Sequence, residues 1–252
     1  MKLRIFYLTS RGRLRHTNED ALLLPGRVVS GLSMDAPAGE EFTGEPPVLF
    51  AVADGMGGLP CGEVASRLTL EYLKDRKITS PEDIQRELAK AKEFLDAYVE
   101  RESRCRGMGT AVAGVSLTDR GALVFNVGDC RVYLRRDRLL RLTEDHTEAY
   151  ELFRRGAIGE EDLREHPLRN LLTSALMGGY PDELLIYTRP VDVREGDLLL
   201  LCSDGLWGEM SLKEMEDCTS LREEEGAECL FGKAYRGGSD NISFILIRVL
   251  GG

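Results

Sequence analysis

Val48-Leu49-Phe50-Ala51-Val52-Ala53-Asp54-Gly55-Met56-Gly57-Gly58-Leu59-Pro60 carries six apolar residues straight into an aspartate and a glycine-rich turn. An uninterrupted apolar run of that length reads as a buried strand. The pattern recurs along the chain. Leu198-Leu199-Leu200-Leu201-Cys202-Ser203 stops at Asp204-Gly205, Ala122 to Val127 stops at Gly128-Asp129, and Asp240 stands in Gly238-Ser239-Asp240-Asn241 just before the apolar run Ile242 to Val249. Four carboxylates are therefore delivered at strand ends. Short, stiffly held carboxylates from separate strands are what hard, oxygen-preferring cations require, so the pattern points to a metal site.

Outward from this stretch, further strand patterns cover Leu3 to Thr9, Ala21 to Leu24, Thr110 to Leu117, Arg131 to Arg135, Leu139 to Leu142 and Leu184 to Thr188. Two helical patterns lie between the third and fourth strands. Val64, Leu68 and Tyr72 recur every four residues. After Ser80-Pro81, with proline at the first helical position, Ile84, Leu88, Ala91, Leu95, Tyr98 and Val99 form one stripe. Further helices are predicted over Glu144 to Arg155, from Ser211, and from about Glu223 to Tyr235. Paired helices and meandering strands give an α+β class with mainly antiparallel pairing. The polar segment Gly31 to Pro47 reads as a long surface loop. No repeat or linker divides the chain, so residues 1–252 are expected to form one domain.

Composition narrows the function. A hydrophobic content of 42% supports a packed core. A net charge of −10 argues against nucleic-acid binding, whose footprint is basic. No apolar stretch approaches the roughly 20 residues of a membrane span, and the N-terminus meets Arg11, Arg13 and Arg15 too early for a signal peptide. Six scattered cysteines without a Cys-x-x-Cys pair predict free thiols and a cytoplasmic protein.

Each motif has a plainer explanation to beat. Asp-Gly after a strand is commonly a hairpin turn, and Asp119-Arg120-Gly121 fits that account. Asp54 and Asp204 do not, because helices rather than returning strands follow them. The turn after Asp54 has Pro60 where a dinucleotide fingerprint needs its third glycine, and no Gly-Lys-Ser/Thr follows; its glycines instead free the Gly55 carbonyl to face a cation. Cys61 and Arg67 have the Cys-x5-Arg spacing of thiol phosphatases, but arginine is frequent enough here for chance to supply it. Zinc is disfavoured, since His16, His146 and His166 are dispersed; carboxylate ligation suits magnesium or manganese. In Arg15-His16-Thr17-Asn18-Glu19-Asp20 the arginine reads either as a solvated turn residue or as a bidentate phosphate clamp.

Taken in order, Arg15 to Asp20, Val52 to Gly58, Met108-Gly109-Thr110-Ala111, Val127 to Arg131, Leu142 to Thr147, Ser203 to Trp207 and Gly238 to Asn241 resemble the metal-dependent serine/threonine protein phosphatases of the PPM family, type 2C, above all compact bacterial members. The resemblance implies a four-layer αββα sandwich of two antiparallel sheets, with a mobile flap over about 144–180. It implies that Asp54 bridges two Mn²⁺ or Mg²⁺ ions, that Asp204 and Asp240 complete the first site, and that the Gly55 carbonyl serves the second. Asp129 with Asp204 would hold a third, weaker ion, Glu19 and Asp20 would orient bound waters, and Arg15 would grip the phosphate. The implied reaction is direct attack of a metal-bridging hydroxide on a phosphoserine or phosphothreonine ester, without a phosphoenzyme. The partners implied are phosphorylated proteins made by an opposing serine/threonine kinase, with the enzyme a monomer. Two departures stand out: Met56 replaces the histidine of eukaryotic members, leaving no protein general acid, and Cys130 replaces a serine beside Asp129. The alternative is a non-catalytic phosphoprotein sensor on the same fold, which would be expected to lack ligands; Asp54, Asp204 and Asp240 are all present.

Overall fold

A computed structural model describes residues 1–181 and 183–251. The strands are β1 (Lys2–Ser10), β2 (Ala21–Leu24), β3 (Arg27–Ser30), β4 (Ala38–Thr43), β5 (Val48–Gly55), β6 (Gly109–Thr118), β7 (Gly121–Val127), β8 (Arg131–Arg135), β9 (Leu139–Arg141), β10 (Leu176–Met177), β11 (Tyr187–Val191), β12 (Leu198–Cys202) and β13 (Ile242–Gly251). The helices are α1 (Gly62–Leu73), α2 (Pro81–Arg101), α3 (Glu148–Arg154), α4 (Asp204–Trp207), α5 (Leu212–Thr219) and α6 (Glu223–Gly237). One sheet has the order β4-β1-β13-β12-β8-β9; the other has β11-β7-β6-β5-β2-β3, with β10 added to β6.

Strand alternation divides the core into layers. Along β5, Val48, Phe50 and Val52 face the opposite sheet, while Leu49, Ala51 and Ala53 pack under α1 and α2. Along β12, Leu199 and Leu201 point between the sheets, and Leu198, Leu200 and Cys202 pack beneath α4, α5 and α6. Strands apolar on both faces thus require a sheet on one side and helices on the other, which yields the αββα sandwich.

Three segments differ from the sequence-based expectations. The presumed loop Gly31 to Pro47 contains β4, and β3 precedes it. Both are sheet edges carrying charges, with Arg27 paired to Glu40 and Arg4 to Glu41 at 3.1 Å, so no apolar run marks them. Helix α3 starts at Glu148 rather than Glu144, because Thr147, itself extended, caps it by accepting from the Tyr150 N–H. The expectation of free thiols is also overturned: Cys61 is bonded to Cys105 and Cys218 to Cys229, leaving only Cys130 and Cys202 free, both buried. The separations of 44 and 11 residues match no Cys-x-x-Cys pattern, so spacing gave no signal.

Candidate metal centre

The strand register gathers the acidic residues at one end of the sandwich. Asp54 and Gly55, the last residues of β5, lie opposite Ala111 and Thr110 at the start of β6. The end of β12 lies opposite Phe244, near the start of β13, which brings Asp204 and Asp240 to the same end. Asp129 sits on the crossing from β7 in one sheet to β8 in the other. Two glycines make these junctions possible. A Cβ on Gly55 would lie 2.4 Å from the Gly62 carbonyl oxygen and 2.6 Å from that of Glu19, and a Cβ on Gly128, where φ is +93°, would lie 2.5 Å from the Ala111 Cβ.

Arg15, Glu19, Asp54, Gly55, Asp129, Asp204 and Asp240 line a single cavity of about 150 Å³. Asp20 lies behind it, buried, with Oδ2 accepting from the Ser203 hydroxyl at 2.8 Å. The N-terminal segment is anchored by Asn241, whose amide donates to the Arg11 and Thr17 carbonyls at 3.0 and 2.8 Å and whose Oδ1 accepts from the Glu19 N–H at 2.9 Å. That anchoring carries Arg15 to the cavity, where Nη2 donates to Asp240 Oδ2 at 2.7 Å. Sequence reasoning overlooked Asn170 and Leu172, which also line the cavity, and the positioning role of Asn241, although Asn241 adjoins a candidate ligand. A roomier cavity of about 500 Å³, lined by Arg131, Leu163, Trp207 and Met215 among others, holds none of the candidate ligands.

The electrostatics require a counter-charge. Burial, reinforced by Asp20, Asp204, Asp129 and Asp240, pushes the Asp54 carboxyl well above the usual carboxylate range. Burial and Asp204 do the same to Asp129, burial and Asp240 raise Asp204, and burial lifts Asp20 to about 7. Buried oxygens of Glu19, Asp20 and Asp204 have no hydrogen-bond partner, an arrangement that calls for an explanation. Divalent cations with their coordinated waters fit: they neutralise the repulsion and satisfy the oxygens. Among the described residues no three metal-binding side chains are gathered on one point. Arg15 holds Asp240.

The family model for protein phosphatase 2C matches residues 35–236. The chain belongs to the protein phosphatase 2C family. Among family members, the serine/threonine phosphatase Stp of Listeria welshimeri is 35% identical over 96% of this chain and 94% of its own. The crystal structure of the serine/threonine phosphatase PstP/Ppp of Mycobacterium tuberculosis superposes with a TM-score of 0.80 at 30% identity, covering all of both chains. A PstP catalytic domain with two manganese ions has a TM-score of 0.76 at 28% identity, again over all of both chains. Within this protein phosphatase 2C chain, the cysteines Cys61 and Cys130 take no direct part in the site. Cys61 is disulfide-bonded and supplies no thiolate. Cys130 is fully buried among the inter-sheet residues, where it packs rather than faces the cavity.

Proposed function

We propose that the chain hydrolyses phosphoserine and phosphothreonine monoesters of proteins, using two Mn²⁺ or Mg²⁺ ions and a third, weaker one. The observation that carries this reading is the convergence of Asp54, Asp129, Asp204 and Asp240 on one cavity with Arg15 at its edge. Asp54, Asp204, Asp240 and the Gly55 carbonyl would hold the core ions, and Asp129 with Asp204 the third. Bound there, such ions bring a water to ionisation near neutral pH and offset charge on the phosphoryl oxygens. The protein's own part is positional. Asn241 and the Glu19 carbonyl, which accepts from the Gly55 N–H at 3.1 Å, fix the N-terminal segment against the end of β5. Arg15 can leave Asp240 to take two phosphoryl oxygens in a planar fork. Glu19 and Asp20 would accept from waters around the ions. Among the described residues no histidine lines the cavity, so a water would be the donor to the leaving alkoxide.

The reading extends to one catalytic domain over 1–252 with a flap at about 144–180, acting as a monomer against an opposing serine/threonine kinase. It assigns no nucleic-acid or membrane partner. Among the described residues, no helix is long and apolar enough to cross a membrane. We place the protein in the cytoplasm because kinases make its substrates there; the two disulfides withdraw free thiols as an argument for that location. The test is a Mn²⁺ titration of phosphothreonine-peptide hydrolysis with an EDTA control. Metal-independent turnover, or none at any Mn²⁺ concentration, would refute the assignment.

A further inference from the structure

His146 is not among the candidate ligands, yet it joins two parts of the site. Its Nδ1 accepts the Gly128 N–H at 3.1 Å, and its own N–H donates to the Gly128 carbonyl at 2.9 Å. Its carbonyl accepts the Thr173 N–H at 2.9 Å, beside the bridge between Thr147 and Leu172. One residue therefore clamps the Gly128-Asp129 turn on one side and the returning segment of the 147–172 excursion on the other. That returning segment supplies Asn170 and Leu172 to the cavity.

The surroundings hold this arrangement in place. The Asn126 amide donates to the Gly128 carbonyl at 3.0 Å and to the Glu144 carbonyl at 2.6 Å. The Trp207 indole N–H donates to the Asp129 carbonyl at 2.9 Å. The side chains of Asn126 and Trp207 donate to the carbonyls of this turn, whereas the imidazole accepts from its Gly128 N–H. An N–H donating to Nδ1 requires a neutral imidazole with its proton on Nε2. Burial lowers the His146 pKa, which keeps that form populated.

We propose that His146 is a positioning residue whose hydrogen bond with Gly128 registers the Asp129 turn against Asn170 and Leu172. The same contact sets both the third ion's ligand and the wall that faces the residues flanking the phosphate. The inference rests on the proposed role of Asp129. It deepens that reading by adding a residue that touches neither metal nor substrate.

His146→Leu removes the acceptor, whereas His146→Asn places Oδ1 near the position of Nδ1. Mn²⁺ calorimetry, with Asp129→Asn as control, reads the ion sites directly. In His146→Leu the weak Mn²⁺ event should lose about three- to tenfold in affinity, the scale of one neutral hydrogen bond, with the tight events unchanged. KM for a phosphothreonine peptide should rise more than KM for p-nitrophenyl phosphate, which has no flanking residues. His146→Asn should recover most of both effects. Wild-type weak-site affinity and peptide KM in folded His146→Leu would overturn the inference. So would a folded His146→Asn no better than His146→Leu, since that would mean the ring only fills space. If Asp129→Asn itself leaves the weak event intact, the assignment of Asp129 fails instead.

Discussion

Arg15 stands between two roles at the scale of the single residue. Its guanidinium is 2.7 Å from Asp240 Oδ2, and its side chain keeps 45% exposure, enough to swing onto a phosphate. Arg15→Ala should raise KM for a phosphothreonine peptide about ten- to hundredfold, the scale of a charge-assisted hydrogen bond, because ground and transition states lose the same contact. Mn²⁺ affinity should not fall, since Arg15 and a cation compete for Asp240; calorimetry alongside kinetics separates the two effects. An unchanged KM would return Arg15 to the role of neutralising Asp240. Asp54 is the only proposed ligand of both core ions. Asp54→Asn should therefore lower kcat at saturating Mn²⁺ far more than Asp129→Asn, and equal losses would show that the bridging role is misassigned.

At the scale of elements, the turn after Asp54 is held at both ends. Gly55 closes it on one side, and on the other Cys61, with φ of +59°, leads into α1 and is bonded to Cys105 just before β6. The Met56 N–H donates to the Gly109 carbonyl at 3.0 Å, at the same junction. Closing a loop with a sequence separation of 44 is worth about 4 kcal/mol in the chain-entropy account. Cys61→Ser or Cys105→Ser should therefore lower Tm by roughly 10 °C and leave kcat at 25 °C within a few-fold of wild type. An inactive but folded Cys61→Ser would revive thiol chemistry. The elements that a sequence reader finds here are those with two buried faces: β5, β6, β7, β12 and β13 announce themselves as apolar runs. The edge strands β3 and β4 do not, because solvent-facing edges are built from charges such as Glu40 and Glu41. Strand β11 begins at Tyr187 and continues through Pro190, a residue that reads as a strand break yet is tolerated at the edge of a sheet. The proposed ligand set could be read from the sequence because each aspartate lies next to one end of a core strand. Asn170, Leu172 and His146 were not, since their part depends on how the excursion folds back, which no local pattern encodes.

At the scale of the whole molecule, the proposed ligands come from both sheets, Asp54 from one and Asp204 and Asp240 from the other, so a cation there links the two halves of the sandwich. This couples metal binding to global stability, and the sign of its pH dependence follows from the carboxyls. Asp20, Asp54, Asp129 and Asp204 all hold protons more tightly folded than unfolded. From about pH 4, where an unfolded aspartate titrates, to about 7, where Asp20 does, the folded state binds more protons. Metal-free stability contributed by this site is therefore fully present below that window and lost as pH rises through it. Asp83, Glu214 and Glu223 are held low by hydrogen bonds and ion pairs, and their contribution disappears only in acid, below the window. Mn²⁺ at a hundredfold excess over its Kd should stabilise by about 2.7 kcal/mol, or roughly 5–10 °C in Tm for a chain of this size. That gain should be larger at pH 8 than at pH 5, where protons compete for the ligands. Asp54→Asn, which removes a carboxylate repelled by Asp20, Asp204, Asp129 and Asp240, should be less active yet melt higher than wild type in EDTA at pH 8. Equal Mn²⁺ shifts at the two pH values, or a metal-free Asp54→Asn that melts below wild type, would mean that these carboxylates do not share one charge-balanced site.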